Sequence, residues 1–254
     1  MILRLAWREF RLIVLSPLAW LLMAASQLVT AWWFLLLVEQ YRTRYEPVVV
    51  QVNSPMGVND LVVLPFFGSV LLLAMLLLGA ALMAMRLLAE ERRSGGIQLL
   101  FAAPLRMTEL VLGRYLAGLG FLLLLALPWL VMPLSLELGT VVDRGRLLSS
   151  GLGLVLLAAL FAAIAMYASS LSAQPTVAAL VTVVIGLMLL GVDAGARFMG
   201  DYPDAVLAWF SALNHYEPLV QGVVSTSNIA YFLLLSAGFL VFSVRRLDAL
   251  RMQV

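Results

Sequence analysis

Residues 61–107 read LVVLPFFGSVLLLAMLLLGAALMAMRLLAEERRSGGIQLLFAAPLRM. From Leu61 to Met85 there is no charged residue, and then Arg86 opens a stretch of a different kind. A bilayer core of about 30 Å takes about 20 apolar residues of helix to cross, so the first part predicts a membrane span and the second the segment where the chain leaves the membrane. That second part, residues 86–107, has a charged start (Glu90, Glu91, Arg92, Arg93), then Gly95-Gly96, an apolar patch (Ile97, Leu99, Leu100, Phe101), and Pro104. Arg86 and Glu90 are spaced for an i, i+4 pair. Glycine tolerates the left-handed conformation of a helix C-cap, so Gly95-Gly96 ends the helix continuing from the span. A second short helix then runs to Pro104, where the missing N–H stops it. An inter-span loop is often charged merely because it is solvated. The apolar patch argues instead for a docking surface, because exposed apolar clusters mark contacts.

Working outward, five more runs resemble the first. The six are Leu18 to Val38, Leu61 to Met85, Leu110 to Leu134, Leu147 to Leu171, Thr176 to Val192, and Ile229 to Val244. Of the 254 residues, 63% are hydrophobic and 12% charged, and the mean hydropathy is +1.04; soluble domains hold about 45–50% apolar residues. Backbone polar groups must be paired within lipid, so the reading is an all-α polytopic membrane protein with six transmembrane helices. Residues 1–254 are read as one transmembrane domain, with no second domain and no cleaved leader. The Ser169 to Gln174 link, closed by Pro175, forces an antiparallel hairpin.

The sixteen positive residues are all Arg. With the N-terminus placed inside, eleven (Arg4, Arg8, Arg11, Arg86, Arg92, Arg93, Arg106, Arg114, Arg245, Arg246 and Arg251) fall on the inner side and five (Arg42, Arg44, Arg144, Arg146 and Arg197) on the outer. The positive-inside bias thus sets both termini and residues 86–107 in the cytoplasm. Without lysine the chain has no standard P-loop. Without cysteine, and with one histidine, it offers no thiolate or His-cluster metal site. No cofactor, metal or catalytic residue is expected in this chain, and nothing suggests nucleic acid.

Two further segments stand out. In residues 1–16, Arg4, Trp7, Arg8 and Arg11 recur at helical spacing before Ser16-Pro17, the pattern of an amphipathic helix lying in the interface among lipid headgroups; plain positive-inside anchoring is the simpler account. Residues 191–228 form the longest outer segment, a loop or re-entrant element holding Tyr202, Trp209, His215 and Tyr216. Aromatics at this depth usually anchor the interface, and an outer gate is the sharper alternative. His215 beside Tyr216 and Glu217 reads as a satisfied loop residue rather than a catalyst. Within the spans, Gln27, Thr30 and Thr182 are polar but uncharged, and spans two, four, five and six carry no mid-membrane acid or base. Ion-coupled carriers generally need one, so energy is expected from another source. Pro128 and Pro133 bend the third span, and Gly113, Ala117 and Gly118 allow close helix approach.

Glu90-Glu91-Arg92-Arg93-Ser94-Gly95-Gly96, with Leu99-Leu100, Pro104, Glu109 and Gly113-Arg114-Tyr115, resembles the loop after the second span of ABC-2 type permeases, nearest to the gliding-motility-type branch. Asp143, Ala168-Ser169-Ser170-Leu171, His215-Tyr216 and Gly222-Val223 extend the likeness over nearly the whole chain. The resemblance implies a permease exporting a substrate across a bacterial inner membrane. It pairs with a second permease copy or paralogue above two ABC ATPase subunits that bind the ATP and Mg. Glu90, Glu91, Arg92, Arg93, Gly95, Gly96, Leu99, Leu100 and Pro104 would form the coupling helix region and residues 1–16 the elbow helix. The chain departs from the family at Gly96 and Gln98, where members commonly carry Thr and an acid. Two alternatives stand beside export: motion transmitted to an extracytoplasmic auxiliary subunit without a transported substrate, and an intramembrane protease. The Glu90-Glu91 pair resembles the di-glutamate of CAAX-type proteases, but that motif expects Arg where this chain has Gly95.

Overall fold

The computed structural model describes residues 2–47, 57–94, 106–140, 142–198 and 209–252, without the side chains of 91, 94 and 193–198. Every regular element among them is helical, and six are long and apolar enough to cross a membrane. Span 1 is Pro17–Tyr45, span 2 Asn59–Ala89, span 3 Met107–Leu138, span 4 Arg144–Leu171, span 5 Pro175–Val192 and span 6 Thr226–Arg251. The helix of span 5 runs on to Phe198, past the predicted end at Val192. Six crossings bring the start of span 1 and the end of span 6 to one end of the bundle, here the proximal end; Arg92, just after span 2, is close enough to Arg246 there for their charges to repel. The opposite end is the distal end.

Span 4 is the centre of the bundle. Of its most apolar 18-residue stretch 72% is buried, against 50% or less in the others, and it packs on spans 2, 3, 5 and 6. Small residues at its contacts (Gly153, Ala158, Ala162, Ala165) let neighbours approach closely, as packing in lipid requires. The Ser172–Gln174 link returns the chain antiparallel into span 5, as the short connection predicts. Where spans 2 and 5 meet, a Cβ on Gly186 would run into the buried Leu77 side chain, so any larger residue there requires Leu77 to move.

The N-terminal helix Ile2–Val14 is docked on the bundle. It packs along the first half of span 3, where Gly113 makes room for Leu5 and Gly120 for Phe10. Its surface divides three ways. Leu5, Ala6, Phe10 and Ile13 face the bundle, Leu3 and Trp7 are exposed on one flank, and Arg4, Arg8 and Arg11 share the outward face. Arg11 sits 5.0 Å over the Trp7 ring, a cation–π contact.

Span 2 departs most from the expected single helix. It enters as a π-helical turn, Asn59–Val63, continues through Leu64–Phe67, breaks at Gly68-Ser69 and resumes as Val70–Ala84. A second π-helical turn, Met85–Ala89, precedes the short helix Glu90–Ser94. A break inside lipid leaves backbone groups that must find partners. Ser69 supplies two, its hydroxyl donating to Phe66 O (2.8 Å) and accepting from Leu72 N (3.3 Å). The Tyr216 hydroxyl supplies the third, donating to Phe67 O (3.1 Å).

Candidate functional site

The proximal site begins with the helix Glu90–Ser94, which leads from span 2 to the Gly95–Leu105 stretch. Gly95, Gly96, Leu99, Leu100 and Pro104 lie outside the described residues, as does the helix expected there. The root of the segment is described, and it is tied down on two sides. Ser169 Oγ, fully buried at the end of span 4, accepts hydrogen bonds from both Leu88 N (2.8 Å) and Ala89 N (3.0 Å). Arg92 Nη1 donates to Ser170 O (2.6 Å). From span 3, Arg114 Nη1 donates to Leu87 O. The π-helical turn explains the pattern: its wider i→i+5 winding takes backbone groups out of the α register, and neighbouring spans meet them.

The same turn overturns one expectation. Arg86 and Glu90 do not pair, although both are described; once the turn widens, positions four apart no longer stack. Loss of water first, and then the nearby Arg246 charge, hold Arg92 below the usual arginine range, yet it stays a cation at any physiological pH. Arg93 and Glu90 point outward, Glu90 exposed. Arg114 is the residue that sequence reasoning missed. Counted there as one more inner-side charge, it is 1% exposed in the second turn of span 3. The signal was present, a lone Arg inside an apolar helix, since such a group faces a partner rather than lipid.

At the distal end Trp209 and His215 are brought together, Tyr216 turns away from them, and Tyr202 lies outside the described residues. His215 is on a helix, Ala212–Val220, not in a loop. Its Nε2 faces the Trp209 carbonyl (3.1 Å), its Nδ1 the Asn228 side-chain amide (3.0 Å), and its ring stacks on Tyr231 at 4.1 Å. Tyr231 in turn donates to Phe210 O (2.8 Å). With both ring nitrogens engaged, His215 joins the segment before span 6 to the span itself. Tyr216 points the other way, toward the break in span 2, and burial pushes its hydroxyl pKa well above the usual tyrosine range.

The break and the helix Ala212–Val220 face each other across a cavity of about 500 Å3, lined by Leu64, Pro65, Gly68, Tyr216, Glu217 and Gln221 among others. Through Val70, Leu73 and Leu213 it adjoins an apolar groove of about 350 Å3 between spans 2 and 5. The pair forms an apolar channel with one carboxylate and one amide in its lining, a surface suited to an amphipathic molecule. An ionic cluster joins the starts of spans 2 and 4 at the same end. Arg146 at the start of span 4 meets Asp60 of span 2 (2.5 Å) and Asp143 (3.5 Å), and Asp143 N donates to Asn59 Oδ1 (3.2 Å).

Among the described residues, a helical bundle of six apolar spans with a broken second span defines a polytopic membrane protein. The family profile for ABC-2 family transporter protein matches residues 3–249, so the chain belongs to the ABC-2 family of transporter proteins and is a transmembrane permease subunit of an ABC transporter. Such a subunit is the membrane component rather than the catalytic one, and the family implies an ABC ATPase partner. No curated protein matches the chain.

Proposed function

We propose that this permease pairs with a second permease copy or paralogue, docks separate ATPase subunits on residues 86–107, and exports its substrate outward across a bacterial inner membrane. Both termini are then cytoplasmic, ATP and Mg reside in the ATPase, and the nearest branch is the gliding-motility type. Residues 1–254 act as one domain, with residues 1–16 as the elbow helix and residues 191–228 forming the outer side. The observation that carries this reading is the tethered root of the segment. Leu87 to Arg92 make four hydrogen bonds to spans 3 and 4, so force applied at residues 95–105 enters the bundle directly. The missing lysine supports it, because energy then comes from outside the chain. The apolar channel beside the break in span 2 favours export of an amphipathic molecule. Transmission of motion to an extracytoplasmic auxiliary subunit is the second reading, favoured by the hydrogen bonds joining helix Ala212–Val220 to span 4.

Substituting Glu91→Ala, or placing charge with Leu99→Glu, tests the docking. Transport and substrate-stimulated ATP hydrolysis by the assembled complex are expected to fall while the bundle stays folded. Undiminished coupling in both variants removes the role assigned to this segment.

A further inference from the structure

Span 4 carries a serine pair near each end. At the proximal end Ser169 Oγ takes the two backbone donors of Leu88 and Ala89, and Ser170 O takes Arg92. At the distal end Ser149 Oγ donates to Leu219 O (2.6 Å), and Ser150 Oγ lies 3.2 Å from Val220 O. Leu219 and Val220 are the last two residues of the helix Ala212–Val220, whose final carbonyls have no partner within the helix. Gly153, one turn further along the same face, lets that helix sit close: a Cβ there would be 3.1 Å from Leu219 Cβ and 3.3 Å from Tyr216 Cε2.

The spacing gives these bonds a meaning beyond local satisfaction. Twenty residues separate Ser149 from Ser169 on one uninterrupted helix; at 1.5 Å per residue that is about 30 Å, the thickness of the hydrocarbon core. Buried hydroxyl-to-backbone ties in a water-free interior have no solvent competitor. Span 2, by contrast, is a poor conductor of motion between the same two places, since it is broken at Gly68-Ser69 and contains two π-helical turns.

We propose that span 4 is the rod that carries movement of the 86–107 segment across the membrane to the helix Ala212–Val220, gripped by Ser169 at one end and by Ser149 and Ser150 at the other. The proposal rests on the docking reading above for the source of the movement. Ser169 is a positioning residue: it moves no substrate and holds the root of the segment to the rod. What reaches the distal end is a displacement of the helix bearing Tyr216, whose hydroxyl holds the broken span 2, so the rod and the channel share one moving wall.

The chain has no cysteine, so Val223→Cys, in the exposed turn after the distal helix, gives a single thiol reporter. The experiment uses the complete complex with its ATPase, in proteoliposomes, and measures labelling of Cys at 223 by a membrane-impermeant maleimide with and without ATP. In the otherwise native chain the labelling rate is expected to depend on ATP. Ser169→Ala, and separately Ser149→Ala with Ser150→Ala, each removing two contacts, are expected to reduce that dependence at least about five-fold, the factor by which losing one hydrogen bond shifts an equilibrium. Ser169→Thr, which keeps the hydroxyl, restores it. Ser243→Ala, which removes a buried hydroxyl bonded only within span 6, leaves it unchanged. An ATP response in Ser169→Ala equal to the native one overturns the rod. If that variant fails to assemble, an undiminished response in the distal pair overturns it instead. A native complex that hydrolyses ATP without any change at position 223 also overturns it while leaving docking intact, and a chain that binds no ATPase overturns both.

Discussion

Tyr216 shows how one side chain can hold a membrane helix together from a distance. Its hydroxyl satisfies a carbonyl that the break in span 2 exposes, 149 residues away in sequence. Tyr216→Phe deletes the donor and strands Phe67 O in an apolar interior, so it should lower stability in micelles by about 1–3 kcal/mol, read as a shift in thermal midpoint. Because burial raises the folded-state pKa above the ordinary tyrosine value of about 10, the native state resists deprotonation and the unfolded state does not. This group's contribution is therefore complete below about pH 10 and lost as the pH rises beyond it. Midpoints measured from pH 8 to 11 should fall with a steeper slope in the native chain than in Tyr216→Phe; equal slopes would remove the argument. From sequence alone His215 and Tyr216 were visible as a pair, but not their opposite directions, which depend on the partners Asn228, Trp209 and Phe67 supplied by other segments.

At the scale of elements, the six spans were legible because lipid demands long apolar runs, and composition reports that demand directly. The break at Gly68-Ser69 was not. Pro65, Gly68 and Ser69 sit in a run without a charged residue, and the partners that make a break tolerable come from Ser69 itself and from Tyr216. The π-helical turns left no mark either, since Met85 to Ala89 read as ordinary helix formers. The hydrogen bonds that reveal that turn belong to Ser169 and Arg114, whose surroundings are set by packing. The Ser169-Ser170 pair was seen as a hairpin end, yet its reach to span 2 is a tertiary fact. Packing between span 4 and the helix Ala212–Val220 offers a direct check. Gly153→Val places branched bulk against Leu219 and Tyr216 at 3.1–3.3 Å from its Cβ and should cost about 1–3 kcal/mol by overpacking. Thermal unfolding in micelles measures it, and a cost indistinguishable from zero would mean that the helix is not seated there.

For the molecule as a whole, the arginine distribution makes a statement about sidedness that the bundle alone does not. Eleven arginines on one side against five on the other predict the proximal end inside. Single cysteines at exposed positions of a cysteine-free chain report this cleanly: Thr140→Cys at the distal end should react with an impermeant thiol reagent in intact cells, whereas Arg4→Cys should react only after the membrane is opened. The reverse pattern would invert the topology and put residues 86–107 out of reach of any ATPase. The seating of the N-terminal helix carries a further consequence, for biogenesis. Its berth, the hollow left by Gly113 and Gly120, does not exist until span 3 has left the ribosome. The newborn helix must therefore wait at the membrane surface, where Arg4, Arg8 and Arg11 can hold it among lipid phosphates. Assembly for this earlier-made helix therefore includes a sideways move onto a later-made neighbour.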